Sequence, residues 1–283
     1  MEEKKRKIIR KLLAISLAVV LSLFTLYGVA CLGAQYQIKH WKYWYPYYEK
    51  IDIEPLLDKA ERTEEDYATL YAQTGLTEIG IEDTLAQWNG KKTVLRIQDS
   101  YFQDVYIYRE YVAGVMCQES MTSVATLAHL QDGDVLVTAA TTVSWWRWGH
   151  SAIVVDAARG LLVESTQIGS NSRCNPTSVF VDRPNFMVLR PKVDAEVKRQ
   201  VADFAKQYLV GLPYDFTAGI LSKKKAVPLK GTQCAHLVWY AYKQFGIDLD
   251  SNGGLLVVPQ DIANSPYMEV VQVFGFHPQG LWR

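Results

Sequence analysis

From Leu12 to Gln35 the chain reads LLAISLAVVLSLFTLYGVACLGAQ, an apolar run without a charge. A run of about 20 apolar residues is long enough to cross a bilayer as a helix. The preceding MEEKKRKIIRK carries Lys4, Lys5, Arg6, Lys7, Arg10 and Lys11, which predicts a cytoplasmic N-terminus at residues 1–11. The following YQIKHWKYWYPYY is rich in Tyr and Trp, the side chains favoured at a membrane–water interface. The run is too long, and too basic at one end, for a buried core helix. A cleaved secretory signal is the alternative, since GVACLGA offers small residues to a peptidase. Lipid attachment at Cys31 is disfavoured by Gly28 three places before it. Either main reading puts residues 36–283 outside the cytoplasm.

Periodicity changes after the apolar run. Residues 36–128 read as a mostly helical lead-in. RTEEDYATLYAQTG has Thr63 to cap a helix, acids in its first turn and Gly75 to stop it. IEDTLAQWNG predicts a second short helix, and KKTVLRIQDSYF reads as strand-like alternation. From residue 129 short apolar strands dominate. DVLVT follows the turn signal Asp132-Gly133, and GHSAIVVDAARGLLVEST is two apolar strands about a turn at 156–160. SVFVDRPNFMVLRP adds one or two strands. In VDAEVKRQVADFAKQYLVG, Val197, Val201, Phe204, Ala205 and Tyr208 fall at helical spacing. A loop then leads to a last helix from Cys234 to Phe245, stopped by Gly246. Strands followed by helices predict an α+β domain over 129–283 rather than a parallel βαβ series.

Composition narrows the function classes. The 283 residues hold 30 basic and 30 acidic side chains, so nucleic acid is not the expected partner, because phosphate binding draws on a basic excess. Cys31, Cys117, Cys174 and Cys234 form no CxxC pair, which argues against zinc and redox motifs. Outside the cytoplasm a disulfide could form, Cys117 with Cys174 first, leaving Cys234 as the free thiol.

Cys234 is a candidate nucleophile. It stands in the first turn of an amphipathic helix in GTQCAHLVWYAY, where unpaired N–H groups and the helix dipole favour an anion and raise the thiolate fraction. A buried structural cysteine is the competing reading. A cysteine nucleophile needs a base. His150 opens a strand just after Gly149, whereas His236 is only two residues from Cys234 and should point elsewhere on a helix. His129, His277 and the membrane-proximal His40 are the other imidazoles. Glu164 ends the strand expected to pair with that of His150. A carboxylate in so apolar a strand needs a partner, and an imidazole N–H would serve, unless the side chain simply faces water.

The ordered motifs GDVLVT, GHSAIVVD, LVEST, GLPYDF and TQCAHLVWYAYKQFGIDL resemble the NlpC-type cysteine hydrolases, which are papain-like and mostly act on cell-wall peptides. The His and Glu strands precede the Cys helix here, the order of the circularly permuted YiiX/YebB-like branch, an arrangement shared with the lecithin retinol acyltransferases. The resemblance covers about residues 130–275. It implies a circularly permuted papain-like domain, an antiparallel sheet packed on helices; the transmembrane helix expected before it rests on the apolar run alone. It further implies Cys234 as nucleophile, His150 as general base, Glu164 as its orienting group, and Tyr214 lining the site. His236 departs from the family, where Glu or Gly is usual two places after the cysteine.

Trp145, Trp146 and Trp148 in SWWRWGH offer either a substrate wall, with Trp148 the binding candidate, or packing. SKKKAVPLK offers a basic loop for an anionic substrate or a merely solvated one. The expectation is therefore a membrane-anchored, extracytoplasmic cysteine hydrolase cleaving amide bonds, first in peptidoglycan stem peptides. The alternatives are a lipid or acyl-amide hydrolase or acyltransferase, and a non-catalytic binding module. The expected partners are a cell-wall peptide or lipid-linked amide and the membrane; no metal or organic cofactor is implied.

Overall fold

The computed structural model describes residues 2–144, 146–225, 227–280 and 282, with Ile38 described by its backbone alone. Helix α1 (Glu2–His40) is long and apolar enough to span a membrane, and its apolar residues are exposed. Four shorter helices follow: α2 (Glu54–Leu57), α3 (Glu64–Thr74), α4 (Glu78–Leu85) and α5 (Gly90–Tyr101). Helix α3 has the expected ends. Thr63 and Asp66 exchange capping hydrogen bonds, and Gly75 takes φ 71°, which glycine adopts without a Cβ penalty.

Helix α5 corrects the strand expected at KKTVLRIQDSYF. Its buried positions include Val94, Ile97, Gln98 and Tyr101, a spacing of three, one and three that lays one helical stripe against the core. The β-branched Thr93, Val94 and Ile97 suggested alternation, but tertiary packing follows the 3.6-residue period. The lead-in is also less helical than expected. Strands β1 (Ile107–Ala113) and β2 (Met116–Met121) form an antiparallel hairpin about Gly114. Strand β1 is largely exposed, so it shows no buried–exposed alternation to betray it.

The remaining strands are β3 (Val135–Thr138), β4 (Thr141–Val143), β5 (Trp146–Arg147), β6 (His150–Asp156), β7 (Leu161–Glu164), β8 (Arg173–Pro176) and β9 (Phe186–Pro191). Helices α6 (Ala195–Tyr208), α7 (Cys234–Lys243) and α8 (Pro259–Ala263) precede the last strand, β10 (Met268–Phe274). SVFVDRPNFMVLRP supplies one strand, β9, behind a short 3-10 turn at Thr177–Phe180. One sheet has the order β1-β2-β4-β5 and the other β10-β9-β3-β6-β7-β8. Every pairing between named strands is antiparallel.

The larger sheet is covered on both faces, which explains its nearly unbroken apolar strands. Successive strand residues point to opposite faces. Val135, Val137, Ile153, Met187 and Leu189 join a core with α6 and α7. Leu136, Ala152, Val154, Phe186 and Val188 join a second core with Leu57, Leu70, Ile81, Val94 and Tyr101. Residues on both sides of the boundary expected at 128/129 thus share one core, and α2–α5 form the sheet's second helical layer.

All four cysteines are free. Cys117 lies buried on β2 of the smaller sheet and Cys174 exposed on β8 of the larger, so the disulfide considered between them is not formed.

Candidate active site

The site is assembled where α7 meets β6. Helix α7 is buried from Cys234 to Tyr242, so its first turn is fixed by packing on all sides. Gln233 caps it, its side-chain Oε1 accepting from the Ala235 N–H at 2.9 Å while its Nε2 donates to the Val257 carbonyl at 2.8 Å. One of the N–H groups expected to hold an anion is therefore already occupied by the cap. Cys234 is the first helical residue, its thiol 3.4 Å from Gln233 Oε1.

His150 begins β6 opposite Thr138. Gly149 before it has φ 78°, and a Cβ there would collide with the Trp282 ring and the Thr138 carbonyl. Only glycine lets the chain enter the strand so close to its neighbours. The hairpin closes as expected, with Glu164 opposite Ala152 on β7. His150 Nε2 lies 2.6 Å from Glu164 Oε2. The imidazole lines the same cleft as the Cys234 thiol, whose proximity helps to raise its pKa. The ring stacks on Phe180 at 5.8 Å between centroids. Asn175 Nδ2 donates to the second Glu164 oxygen at 2.6 Å.

Burial alone would drive the His150 pKa down, but Cys234 and Glu164 outweigh it and raise the value to about 9. Burial likewise pushes Glu164 up, yet His150 and then Asn175 hold it below its ordinary value. Tyr214 stands beside the thiol because its segment runs parallel to Thr232. Burial, with Cys234 adding to it, raises the phenol well above its usual range.

The candidates thus fall into two groups. Cys234, His150, Tyr214 and Trp148 line one cleft of about 130 Å³, and Glu164 stands behind His150. The other imidazoles lie elsewhere. His236 is buried between Thr232 Oγ1 at 3.0 Å and the Lys224 carbonyl at 2.8 Å, His277 packs on Trp44, His40 stacks on Tyr36, and the His129 carbonyl accepts from Arg190. Trp146 packs toward Gly33 of α1, while Trp145 lies outside the described residues. In the basic loop, Lys224 pairs with Asp250 and lies over the Trp239 ring, so it ties the loop to the core; Lys223, Lys225 and Lys230 are exposed.

Asn175, Phe180 and Gln233 were not anticipated. Gln233 had a signal, its place directly before the helical cysteine. Asn175 and Phe180 had none, because only the register of β8 and the 3-10 turn bring them to Glu164 and His150. Among the described residues no three His, Cys, Asp or Glu side chains group closely enough to hold a metal ion.

No family model matches the chain, and no solved structure matches it. A stretch of 88 residues, 31% of this chain, is 35% identical to the Uncharacterized protein YycO of Bacillus subtilis (strain 168). The match spans 35% of that protein, so the chain covers about a third of the length of the curated relative it matches.

Proposed function

We propose that the protein is a membrane-anchored cysteine hydrolase of the YiiX/YebB-like, circularly permuted papain-like type, with its catalytic domain outside the cytoplasm. One observation carries this reading: a buried imidazole held by Glu164 shares the wall of an open cleft with the thiol of Cys234. A structural cysteine needs no such partner, whereas a nucleophile needs a base that is itself oriented.

In the proposed reaction the Cys234 sulfur attacks an amide or ester carbonyl, forming a C–S bond. The Cys234 backbone N–H, unpaired within the helix by its position, is available to the oxyanion. His150 holds the thiol proton and delivers it to the leaving nitrogen or oxygen as that bond breaks. Water then attacks the thioester, giving its proton to His150, and the thiol is restored as the acid departs. Glu164, itself held by Asn175, fixes the imidazole ring through Nε2 for this exchange.

The family resemblance ranks peptidoglycan stem-peptide amides first as substrate. The apolar cleft walls, Val143, Phe216, Ile220, Leu256 and Val258 among them, favour the second reading, an acyl amide or ester.

The test is the alkylation rate of Cys234 by iodoacetamide against pH in the full-length protein, with His150→Ala alongside. The expected result is fast labelling below pH 7 that falls at least about a hundredfold in the variant. Labelling with the midpoint of an ordinary thiol, unchanged by the substitution, would end the catalytic reading.

A further inference from the structure

The position of the cleft relative to α1 adds a substrate class to this reading. Gly33 is two residues short of the end of the apolar run, about 3 Å along the helix axis. The Trp146 ring sits against it, 3.3 Å from where a Cβ would project. The Arg147 N–H donates to Gln37 Oε1 at 3.0 Å, fixing β5 to the same helix one turn later. Strand β5 therefore lies at the depth where the bilayer meets water. Trp148 follows within two residues, about 7 Å of chain, and is both a wall of the cleft and half-exposed.

An apolar rim continues from Trp148. Its ring meets that of Phe216 edge-on at 6.5 Å. Ile220 stands on the same wall, Leu221 beside it is 83% exposed, and Leu255 is 72% exposed. A Cβ on Gly219 would collide with the Leu255 carbonyl, so the backbone carrying Ile220 and Leu221 runs close beside that carrying Leu255. Patches of this kind mark an interaction surface rather than scattered exposure. Within the cleft the Gln233 amide is already committed at both ends. Most of the side chains lining the cleft are apolar, which suits an acyl chain.

We infer that the rim formed by Trp148, Phe216, Ile220, Leu221 and Leu255 rests on the membrane surface, and that the cleft draws the acyl chain of a membrane-resident amide or ester from the bilayer to Cys234. The inference rests on the cysteine-hydrolase reading but fails separately from it.

The test uses the full-length protein in phosphatidylcholine vesicles and two reagents with one warhead, iodoacetamide and N-hexadecyl iodoacetamide. The rate at Cys234 is read for each by mass spectrometry of its peptide. The ratio of long-chain to short-chain rate is expected to be at least about tenfold higher in the wild type than in Ile220→Asp, since burying even two methylenes is worth that factor. Ile220→Trp, which narrows the same wall without a charge, should also lower the ratio, and Leu221→Asp/Leu255→Asp should lower it by weakening contact with the bilayer. Because every variant sees the same vesicles, partitioning of the long reagent cancels. A wild-type ratio equal to those of the Ile220 variants, or below that of a free thiol in the same vesicles, overturns the inference. The iodoacetamide rate and its dependence on His150, measured in each background, report the fold and the Cys–His pair separately. Their loss in the wild type would sink the hydrolase reading whatever the ratio.

Discussion

Two buried carboxylates stand on neighbouring parts of this molecule and are neutralised in different ways. Glu119 on β2 is held by Arg147 at 2.6 Å and Arg109 at 2.7 Å, and the Tyr43 hydroxyl donates to it. Arg147 itself lies over the Trp41 ring at 4.8 Å and donates to the Ala139 carbonyl at 2.9 Å. Glu164 is held by His150, three residues after Arg147, at 2.6 Å. Burial raises both carboxyls and a cationic partner brings both below their ordinary values. The difference lies in the cation. Arginine never gives up its proton, and its cluster borders no part of the Cys234 cleft. It joins the segment leaving α1 to the smaller sheet. Histidine titrates, and its ring shares an open cleft wall with a thiol. Burial and hydrogen bonding therefore do not separate a structural pair from a chemical one; a releasable proton and an adjoining cleft do.

The sharpest way to break this comparison is Glu119→Ala. It leaves Arg147 buried without its main counter-charge, and stability should fall by about 3–5 kcal/mol in urea unfolding. In the fraction that stays folded, the pH profile of Cys234 alkylation should not move. A displaced profile would mean that the two pairs are coupled.

A smaller effect is expected from pH itself. The His150 pKa is raised on folding, so its contribution to stability is fully present below its ordinary value of 6.5 and is lost as pH rises through about 9. That contribution is at most about 3 kcal/mol. Unfolding free energies across this window should fall with pH in the wild type and more shallowly in His150→Gln. Equal slopes would show that the imidazole is not held charged in the fold.

The smallest effect comes from Glu164→Gln. Removing the carboxylate charge while keeping a hydrogen-bonding group should lower the His150 pKa by about one unit or more. Proton NMR of the imidazole should report the shift directly. No shift would assign the raised value to Cys234 alone and reduce Glu164 to an anchor for the ring.

Much of the fold was legible because it depends on local chemistry. The α3 cap at Thr63 and its stop at Gly75, the hairpin between His150 and Glu164, and the helical stripe of α6 all follow from turn chemistry or periodicity within about a dozen residues. What was misread depends on distant partners. Strand-forming residues in α5 were overruled by a core shared with the sheet. The β1–β2 hairpin is exposed on one strand and takes its burial on the other from Tyr43, Arg147 and β4. SWWRWGH left a substrate wall and packing both open, and distant partners decide it: Arg147 neutralises Glu119 and Trp146 packs on α1.

The sequence alone determined an apolar N-terminal helix, an α+β order of elements, and a short set of polar residues, Cys234, His150 and Glu164, that apolar surroundings had to explain. Those features follow from hydrophobic period, glycine turns and the cost of burying a lone charge, all of which act over a few residues. Only the tertiary structure decided that these three meet while His236 does not join them, that Asn175 and Phe180 complete the setting, and that the cleft opens beside the end of α1. Strand register and helix packing set those distances, and both are fixed by contacts between residues far apart in the chain, where no local pattern carries the information.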